Sequence, residues 1–486
     1  MNSNRKVRLS VLLRVQGLLL FIEGLFMLTV LPVTYLHRGI NAFSMPFAAL
    51  ITVLTGFILT FSTHQQKGQP LNHREGVITI CISWLTLSLF GGLPFLLSKS
   101  VPNFTDAFFE ALSGFTTTGA TILTNIEGVP KDILLWRSLT QWIGGLGIIV
   151  FAVVLIPFLS VGGMQLFMTE MNGINYDKLH PRTMHTAKRL WALYVFFTLL
   201  EAVLLQFGDM DWFDALCHSL TTISSGGFST RTSSIAGYSN YSKIIVMIFM
   251  ILSGCNFTLL LIALVRNPKA LFKNEEFRDF VFIILGAGTI IALVLMVMVK
   301  TSVGDALRSS FFGVISTITT TGFFVSDYTL WPVGLWVILL LLAFVGPCSG
   351  STAGGIKIIR HLIFIKNAFL ELKRVIHPNA IIPVKINQKS LSRSVVFKTM
   401  TFVFVFFLIF VGGVIILLTM GIDFNTSVGA SLATLSNFGT GIGTVGPFGT
   451  YAFLPQAAKW VLMALMLLGR VELFTLIAIF SRNFWK

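Results

Sequence analysis

Four clusters of hydroxyl residues and glycine are the part of this sequence best suited to ion chemistry. They are Ser113-Gly114-Phe115-Thr116-Thr117-Thr118-Gly119-Ala120, Thr221-Thr222-Ile223-Ser224-Ser225-Gly226-Gly227-Phe228, Ser316-Thr317-Ile318-Thr319-Thr320-Thr321-Gly322-Phe323 and Thr434-Leu435-Ser436-Asn437-Phe438-Gly439-Thr440-Gly441. Glycine escapes the Cβ restriction on φ, so each cluster can run with its carbonyls turned to one side. Four such loops around one axis would stack rings of oxygens able to replace the hydration shell of a dehydrated alkali cation. The ring needs no carboxylate, and a monovalent ion is its natural guest.

The elements that must position these clusters read alike. A short helical piece precedes each one, at 106–116, 213–223, 305–319 and 425–436, too short to cross a bilayer and of re-entrant length. The leaders are Asp106-Ala107-Phe108, Asp214-Ala215-Leu216, Asp305-Ala306-Leu307 and Thr426-Ser427-Val428. The glycine follows its leader by 13, 13, 17 and 13 residues. Asp106 and Asp214 suit helix starts, where a carboxylate caps free amides. The opposite end of each short helix carries about −0.5 charge and favours a cation.

Apolar runs long enough to span fall at roughly 11–36, 45–62, 77–98, 133–160, 188–208, 242–266, 279–300, 333–364, 399–420 and 457–480. The chain has 486 residues, 54% hydrophobic and 11% charged, with mean hydropathy +0.83. No soluble protein of this size hides so much apolar surface. Alternating ten spans from an inside N-terminus puts 25 of the 35 Lys and Arg on one side, which the positive-inside rule makes cytoplasmic. All four short segments then lie on the outer side. The expected architecture is an all-α integral membrane protein with two extra N-terminal spans (1–76) and four span–pore-helix–span repeats around a central ion pore. The repeats divide at 77–187, 188–277, 278–398 (with a broken second helix and a cytoplasmic basic segment) and 399–486.

The net charge of +15 therefore sets orientation and implies no nucleic-acid partner. Cys81, Cys217, Cys255 and Cys348 have neither zinc nor disulfide spacing. No phosphate-binding loop, His-Glu-x-x-His pair or nucleophile elbow occurs. An enzyme is disfavoured, and no bound cofactor is expected.

Two further features bear on the pathway. Gly346-Pro347-Cys348-Ser349-Gly350-Ser351-Thr352-Ala353-Gly354-Gly355 cannot hold a continuous helix. Unwound backbone at that depth is tolerable only where it lines a pore. Arg470 falls within the last apolar run, where an unpaired cation costs about 2.5–3.5 kcal/mol or more, and Glu472 points to another face. Arg470 is expected to face the cavity and to hydrogen-bond carbonyls of the 346–355 loop. Glu23, Glu110 and Glu201 are intramembrane acids able to act as proton sites in a coupled alternative.

These residues resemble the Trk/Ktr/HKT superfamily of potassium transporters, most closely its Trk branch, over nearly the whole chain. Beyond the four clusters, the likeness rests on Gln141-Trp142-Ile143-Gly144-Gly145-Leu146-Gly147, Gly226-Gly227-Phe228-Ser229-Thr230 and Cys255-Asn256-Phe257-Thr258-Leu259. It rests also on Gly350-Ser351-Thr352-Ala353-Gly354-Gly355-Ile356-Lys357, Glu371-Leu372-Lys373-Arg374 with His377-Pro378, and Leu468-Gly469-Arg470-Val471-Glu472. The resemblance implies potassium uptake through a filter of Thr117, Thr118, Gly119, Ser225, Gly226, Gly227, Thr320, Thr321, Gly322, Asn437, Phe438 and Gly439, with K+ as the transported ion. Glycine at all four filter positions favours potassium, serine in the first loop being the sodium-permissive variant. It also implies an intramembrane gate at Gly346, Ser349, Gly350, Ser351, Thr352, Gly354 and Gly355 with Arg470. Finally it implies a homodimer with one pore per chain, a separate cytoplasmic nucleotide-binding regulatory subunit, contact with membrane lipids, and a place in the bacterial inner membrane with both termini cytoplasmic. Sodium- or proton-coupled symport is the alternative to a channel-like mechanism.

Overall fold

The computed structural model describes residues 7–36, 43–64, 71–155, 183–377, 380, 382–471 and 473–485. The end of the fourth expected span, most of the basic connection after it and Glu472 lie outside them.

Two helices lead the fold, α1 (Leu9–Leu36) and α2 (Ser44–Ser62). They pack antiparallel and very closely. A Cβ on Gly17 would meet Leu59 and Thr60, one on Gly24 would meet Val53, and one on Gly56 would meet the Phe21 backbone, each within 3.0 Å. Small residues allow such approach where lipid supplies no hydrophobic drive between helices.

The rest of the described chain repeats one plan. A long helix is followed by a short one, a loop, and a second helix. The first repeat is α3 (His73–Gly91), α4 (Phe104–Phe115) and α5 (Lys131–Leu155). The second is α6 (Thr183–Gln206), α7 (Trp212–Ile223), α8 (Asn240–Gly254) and α9 (Phe257–Val265). The third comprises α10 (Glu275–Val294), α11 (Val303–Ile318), α12 (Val333–Val345) and α13 (Ile358–Ile376), followed by a hairpin of Lys385–Ile386 and Lys389–Ser390. The fourth is α14 (Arg393–Thr419), α15 (Phe424–Leu435), α16 (Gln456–Arg470) and α17 (Leu473–Phe480). Among the described residues, six helices are long and apolar enough to cross a membrane, or eight counting α8–α9 and α16–α17 as bent spans. This is a multi-pass membrane protein.

The expectation of continuous spans at 242–266 and 457–480 is corrected. α8 and α9 meet at 103°, and α16 and α17 at 116°. At the first break Cys255 is extended and the Asn256 side chain accepts the Leu259 N–H at 3.0 Å, so it caps a new helix inside an unbroken apolar run. At the second, Gly469 lies against the Leu435 carbonyl, a Cβ there falling within 3.0 Å of it. The expected break of 333–364 is present between α12 and α13.

Candidate functional site

The four short helices start on side-chain caps. Asn103 accepts the Thr105 N–H, Asp211 that of Asp214, Ser302 that of Asp305 and Asp423 that of Thr426. Asp106 and Asp214 are therefore not the caps expected of them but first-turn residues. Asp106 accepts the Lys459 ammonium at 2.6 Å, and Asp214 accepts the Tyr238 hydroxyl at 2.6 Å and the Thr230 hydroxyl at 2.7 Å. α11 has 16 residues where α4, α7 and α15 have 12. Four added residues, about one turn, explain the longer leader-to-glycine spacing and leave the loop that follows within about 40° of the same facing.

All four helices end the same way. The N–H groups of Thr118, Gly226, Thr321 and Phe438 reach back to Ser113, Thr221, Ser316 and Ala433, and those of Thr117, Ser225, Thr320 and Asn437 to Gly114, Thr222, Thr317 and Thr434. This is the Schellman pattern, whose exit residue is left-handed and usually glycine. Here it is Thr117 (φ 52°), Ser225 (φ 56°), Thr320 (φ 52°) and Asn437 (φ 51°). A second left-handed residue comes two positions later, at Gly119 (φ 82°), Gly227 (φ 75°), Gly322 (φ 88°) and Gly439 (φ 80°).

The four glycines close a ring. A Cβ on Gly119 would strike the Gly226 carbonyl, one on Gly227 the Thr321 carbonyl, one on Gly322 the Phe438 carbonyl and one on Gly439 the Thr118 carbonyl, all within 3.0 Å. Each loop thus abuts the next in chain order and the last abuts the first. The same glycines line a vestibule on one face of the ring with Thr121, Arg137, Arg231 and Tyr451.

A shell of side chains holds the loops from behind. Gln141 on α5 donates to the Gly226 carbonyl (2.7 Å) and accepts the Phe228 N–H (3.0 Å). Thr440 donates to Gly322 O (2.7 Å) and Tyr451 to Gly439 O (2.8 Å). Glu110, fully buried on α4, takes Arg137 Nε at 2.7 Å, the Thr121 hydroxyl at 2.9 Å and the Ile122 N–H at 2.9 Å. Arg137 continues to Ser229 O (2.9 Å) and lies 3.5 Å over the Phe228 ring. Sequence reasoning missed this buried pair, which links the first two loops. The signal was an acid and a base each within an apolar stretch.

The 346–355 segment packs against the other face of the ring. Gly354 N–H donates to Thr320 Oγ1 (2.9 Å), and the hydroxyls of Thr352 and Ser225 are hydrogen-bonded (3.0 Å). A Cβ on Gly354 would strike Ser436 O. The break between α8 and α9 anchors the loop's near end. Cys348 N–H donates to Gly254 O (3.1 Å), Asn256 Nδ2 to Ser349 O (2.6 Å) and Phe257 N–H to Gly350 O (3.1 Å). Glu276, at the start of α10, accepts the Ser349 N–H at 2.6 Å and its hydroxyl at 2.9 Å. Arg470 donates to Thr352 O at 2.9 Å and to Gly144 O at 2.6 Å, the contact to the loop expected from the sequence. Lys357, itself left-handed (φ 80°), reaches Ser351 Oγ at 3.1 Å and Ala353 O. Neither Glu276 nor Lys357 was legible as an anchor, because both act through the tertiary path of the loop. Beyond the loop lies a cavity lined by Gly145, Phe257, Lys357, Phe402, Arg470 and Leu473 among others. Vestibule, ring, loop and cavity follow one another.

Among the described residues no group of three or more His, Cys, Asp or Glu is placed to hold a metal ion. What the arrangement offers instead is oxygen: backbone carbonyls and hydroxyls at the negative ends of four helices.

Comparison with known proteins agrees with this geometry. The sequence profile of the TrkH family, described as cation transport protein, matches residues 42–486. The Trk system potassium uptake protein TrkH of Salmonella typhimurium is 39% identical over 482 residues, 97% of this chain and 98% of that protein. The TrkG protein of Escherichia coli is 34% identical, covering 96% and 97%. The crystal structure of the potassium transporter TrkH from Vibrio parahaemolyticus superposes with a TM-score of 0.89 at 35% identity, covering 99% of this chain and all of that one. These relatives are named as transport proteins and not as enzymes. The chain belongs to the TrkH family of cation transport proteins.

Proposed function

We propose that this protein takes up potassium across the bacterial cytoplasmic membrane through the ring of four loops. The observation that carries the reading is the closed cycle of glycine-to-carbonyl contacts, which only four loops around a common axis produce. In this reading Thr117–Gly119, Ser225–Gly227, Thr320–Gly322 and Asn437–Gly439 supply the oxygens that replace the ion's water. The helix ends beneath them favour positive charge. The supporting shell of Gln141, Thr440, Tyr451 and the Glu110–Arg137 pair fixes the ring's diameter, so that a smaller ion cannot draw the oxygens inward.

The 346–355 loop is the gate. It stands between the ring and the inner cavity, and flow requires it to leave Ser225, Thr320 and Arg470. Arg470 holds it shut and places a positive charge on the path. The basic connections lie in the cytoplasm. The lysines and arginines of α13 and the hairpin meet anionic lipid headgroups there, with a second copy of the chain and a nucleotide-binding regulatory subunit as partners.

One observation supports coupled symport as a second reading. Glu23, buried on α1, has both carboxylate oxygens without a hydrogen-bond partner among the described residues, and such a group is a proton-binding candidate. Reversal potentials in liposomes holding the purified protein separate the readings. A potential that follows the potassium gradient alone supports the channel-like mechanism, a dependence on pH or sodium supports coupling, and a membrane that stays impermeable to potassium sinks both.

A further inference from the structure

Three cations converge on the cavity beyond the 346–355 loop. Lys357, Arg360 and Arg470 all line it, and each is half-buried. Lys357 and Arg470 are neighbours through their contacts. Arg470 donates to the Thr352 carbonyl at 2.9 Å, and Lys357 donates to the Ala353 carbonyl, the next along the chain. Arg360 follows Lys357 by about one turn, and its guanidinium lies 3.8 Å over the ring of Phe402, another residue of the cavity wall. Both guanidiniums act on the Lys357 ammonium as like charges. Glu276 acts on it as an acid, but its carboxylate is taken up by the Ser349 N–H and hydroxyl at 2.6 and 2.9 Å. Among the described residues no Asp or Glu lines the cavity. Like charges gathered at one cavity repel more strongly where apolar walls such as Phe257, Phe406 and Leu473 lower the dielectric. The neutral carbonyls of the loop answer those charges only in part.

We infer that this cavity binds a phosphate group through Lys357, Arg360 and Arg470, and that the bound anion loosens the loop. A guanidinium is a planar fork that matches a tetrahedral oxyanion, and lysine adds a point charge beside it. The cavity measures about 100 Å³. One water needs only about 10–15 Å³, so a phosphate group has room. The effect on the loop follows from which donors the anion uses. Lys357 and Arg470 hold Ser351, Thr352 and Ala353 by their side-chain or carbonyl oxygens. Hydrogen bonds to an ionised oxygen are about twice as strong as those to a neutral one, so phosphate draws the same N–H groups away. It also offsets the positive charge on the path, and both effects favour opening. The coupling is reciprocal, so a displaced loop tightens phosphate binding. The coupling rests on the potassium reading above; the site does not. Two sources carry the group, a soluble phosphate or the headgroup of a phospholipid.

The site is tested first without transport. Full-length protein in detergent is titrated calorimetrically with sodium phosphate, and with sodium chloride at the same ionic strength and pH. Phosphate should give a saturable heat that chloride does not. Arg360→Gln removes one cation and keeps the Lys357 and Arg470 ties to the loop. It should weaken phosphate binding about ten-fold or more, the share of one charged hydrogen bond, and Arg360→Lys should recover part of the loss. Dihexanoyl phosphatidic acid, a water-soluble lipid, separates the sources. Binding about ten-fold tighter than inorganic phosphate assigns the site to a lipid headgroup, and equal or weaker binding assigns it to a soluble phosphate. In phosphatidylcholine proteoliposomes, phosphate on the cavity side should then raise potassium flux, and raise it less in Arg360→Gln. A heat no greater than that of chloride, or one unchanged in Arg360→Gln, means an adventitious ion only and overturns the site. Phosphate that binds yet leaves flux level or lowers it overturns the coupling. The chloride comparison decides the first point even where Arg360→Gln does not fold. A preparation that binds phosphate and passes no potassium would strike the transport reading and leave the site standing.

Discussion

Replacing Arg470 with alanine removes a side-chain tie between α16 and the 346–355 loop. Arg470 spends its guanidinium on two carbonyls, Thr352 O on the loop and Gly144 O on α5, at 2.9 and 2.6 Å. The second bond fixes the side chain to the scaffold, and the first holds the loop. A hydrogen bond from a charged donor contributes about 1.5–3 kcal/mol. If opening breaks the Thr352 bond, its loss shifts the closed-to-open ratio by about 10- to 150-fold, at 1.4 kcal/mol per decade. Arg470→Ala should therefore raise potassium flux at low driving force. Arg470→Lys separates tie from charge, because lysine keeps the positive charge but lacks the planar fork that reaches two carbonyls at once. A leaky lysine variant points to the hydrogen bond, and a tight one to electrostatic blockade. The assay is potassium efflux from proteoliposomes matched for inserted protein. Flux equal to that of the unsubstituted protein in Arg470→Ala, with the variant inserted at the same level, would refute the reasoning.

Three other perturbations follow from the same geometry. Gly227→Ala forces an L side chain into φ 75° and against the Thr321 carbonyl. The left-handed backbone alone costs about 1–2 kcal/mol, and the displaced third loop should reduce potassium-over-sodium discrimination in bi-ionic reversal potentials. Glu110→Gln leaves Arg137 buried and unpaired, a loss of about 3–5 kcal/mol; its thermal midpoint in detergent should drop well below that of the parent, and Glu110→Gln/Arg137→Gln should regain part of the difference. Outside the spanning segments, partial burial pushes the Asp209 carboxyl up, but bonds from Ser242 Oγ (2.6 Å) and the Ser239 group (N–H at 2.7 Å) outweigh it and hold the carboxyl below its ordinary value. A depressed carboxylate stabilises the fold above its unfolded value of about 3.9 and loses that contribution as pH falls through the folded value. The thermal midpoint should therefore fall on acidification below about pH 4, and Asp209→Asn should show a smaller fall.

How much of this was legible in the sequence depends on whether the signal was local. The four short helices could be placed within two residues of their observed ends because Ser, Thr and Gly crowd their C-terminal side, while a shared Asp or Thr leader marks their start. The ring's glycines were legible for the same reason, since a positive φ calls for a residue type. The caps were misassigned by one turn: Asp106 and Asp214 look like caps, but Asn103 and Asp211 fill that place, and both kinds of residue suit a helix start. The bends after Gly254 and Arg470 were not read because Phe249 to Val265 and Leu462 to Phe480, despite Asn256, Arg470 and Glu472, are apolar enough to pass as spans. What breaks them is tertiary. The freed backbone groups at Gly254 and Phe257 pair with Cys348 and Gly350 of the third repeat, nearly a hundred residues away. Glu276 and Lys357 were missed likewise, being ordinary charges at helix ends until the loop between α12 and α13 is laid across them.

The central claim is that potassium passes through the ring of four loops, and rubidium, a heavy ion of potassium's charge and nearly its size, tests it most directly. Crystals grown in rubidium should show anomalous density on the axis shared by the Gly119, Gly227, Gly322 and Gly439 loops. Potassium flux through the same preparation should be intact. Intact flux with no rubidium density between those loops, or with density only at another site, would contradict the account.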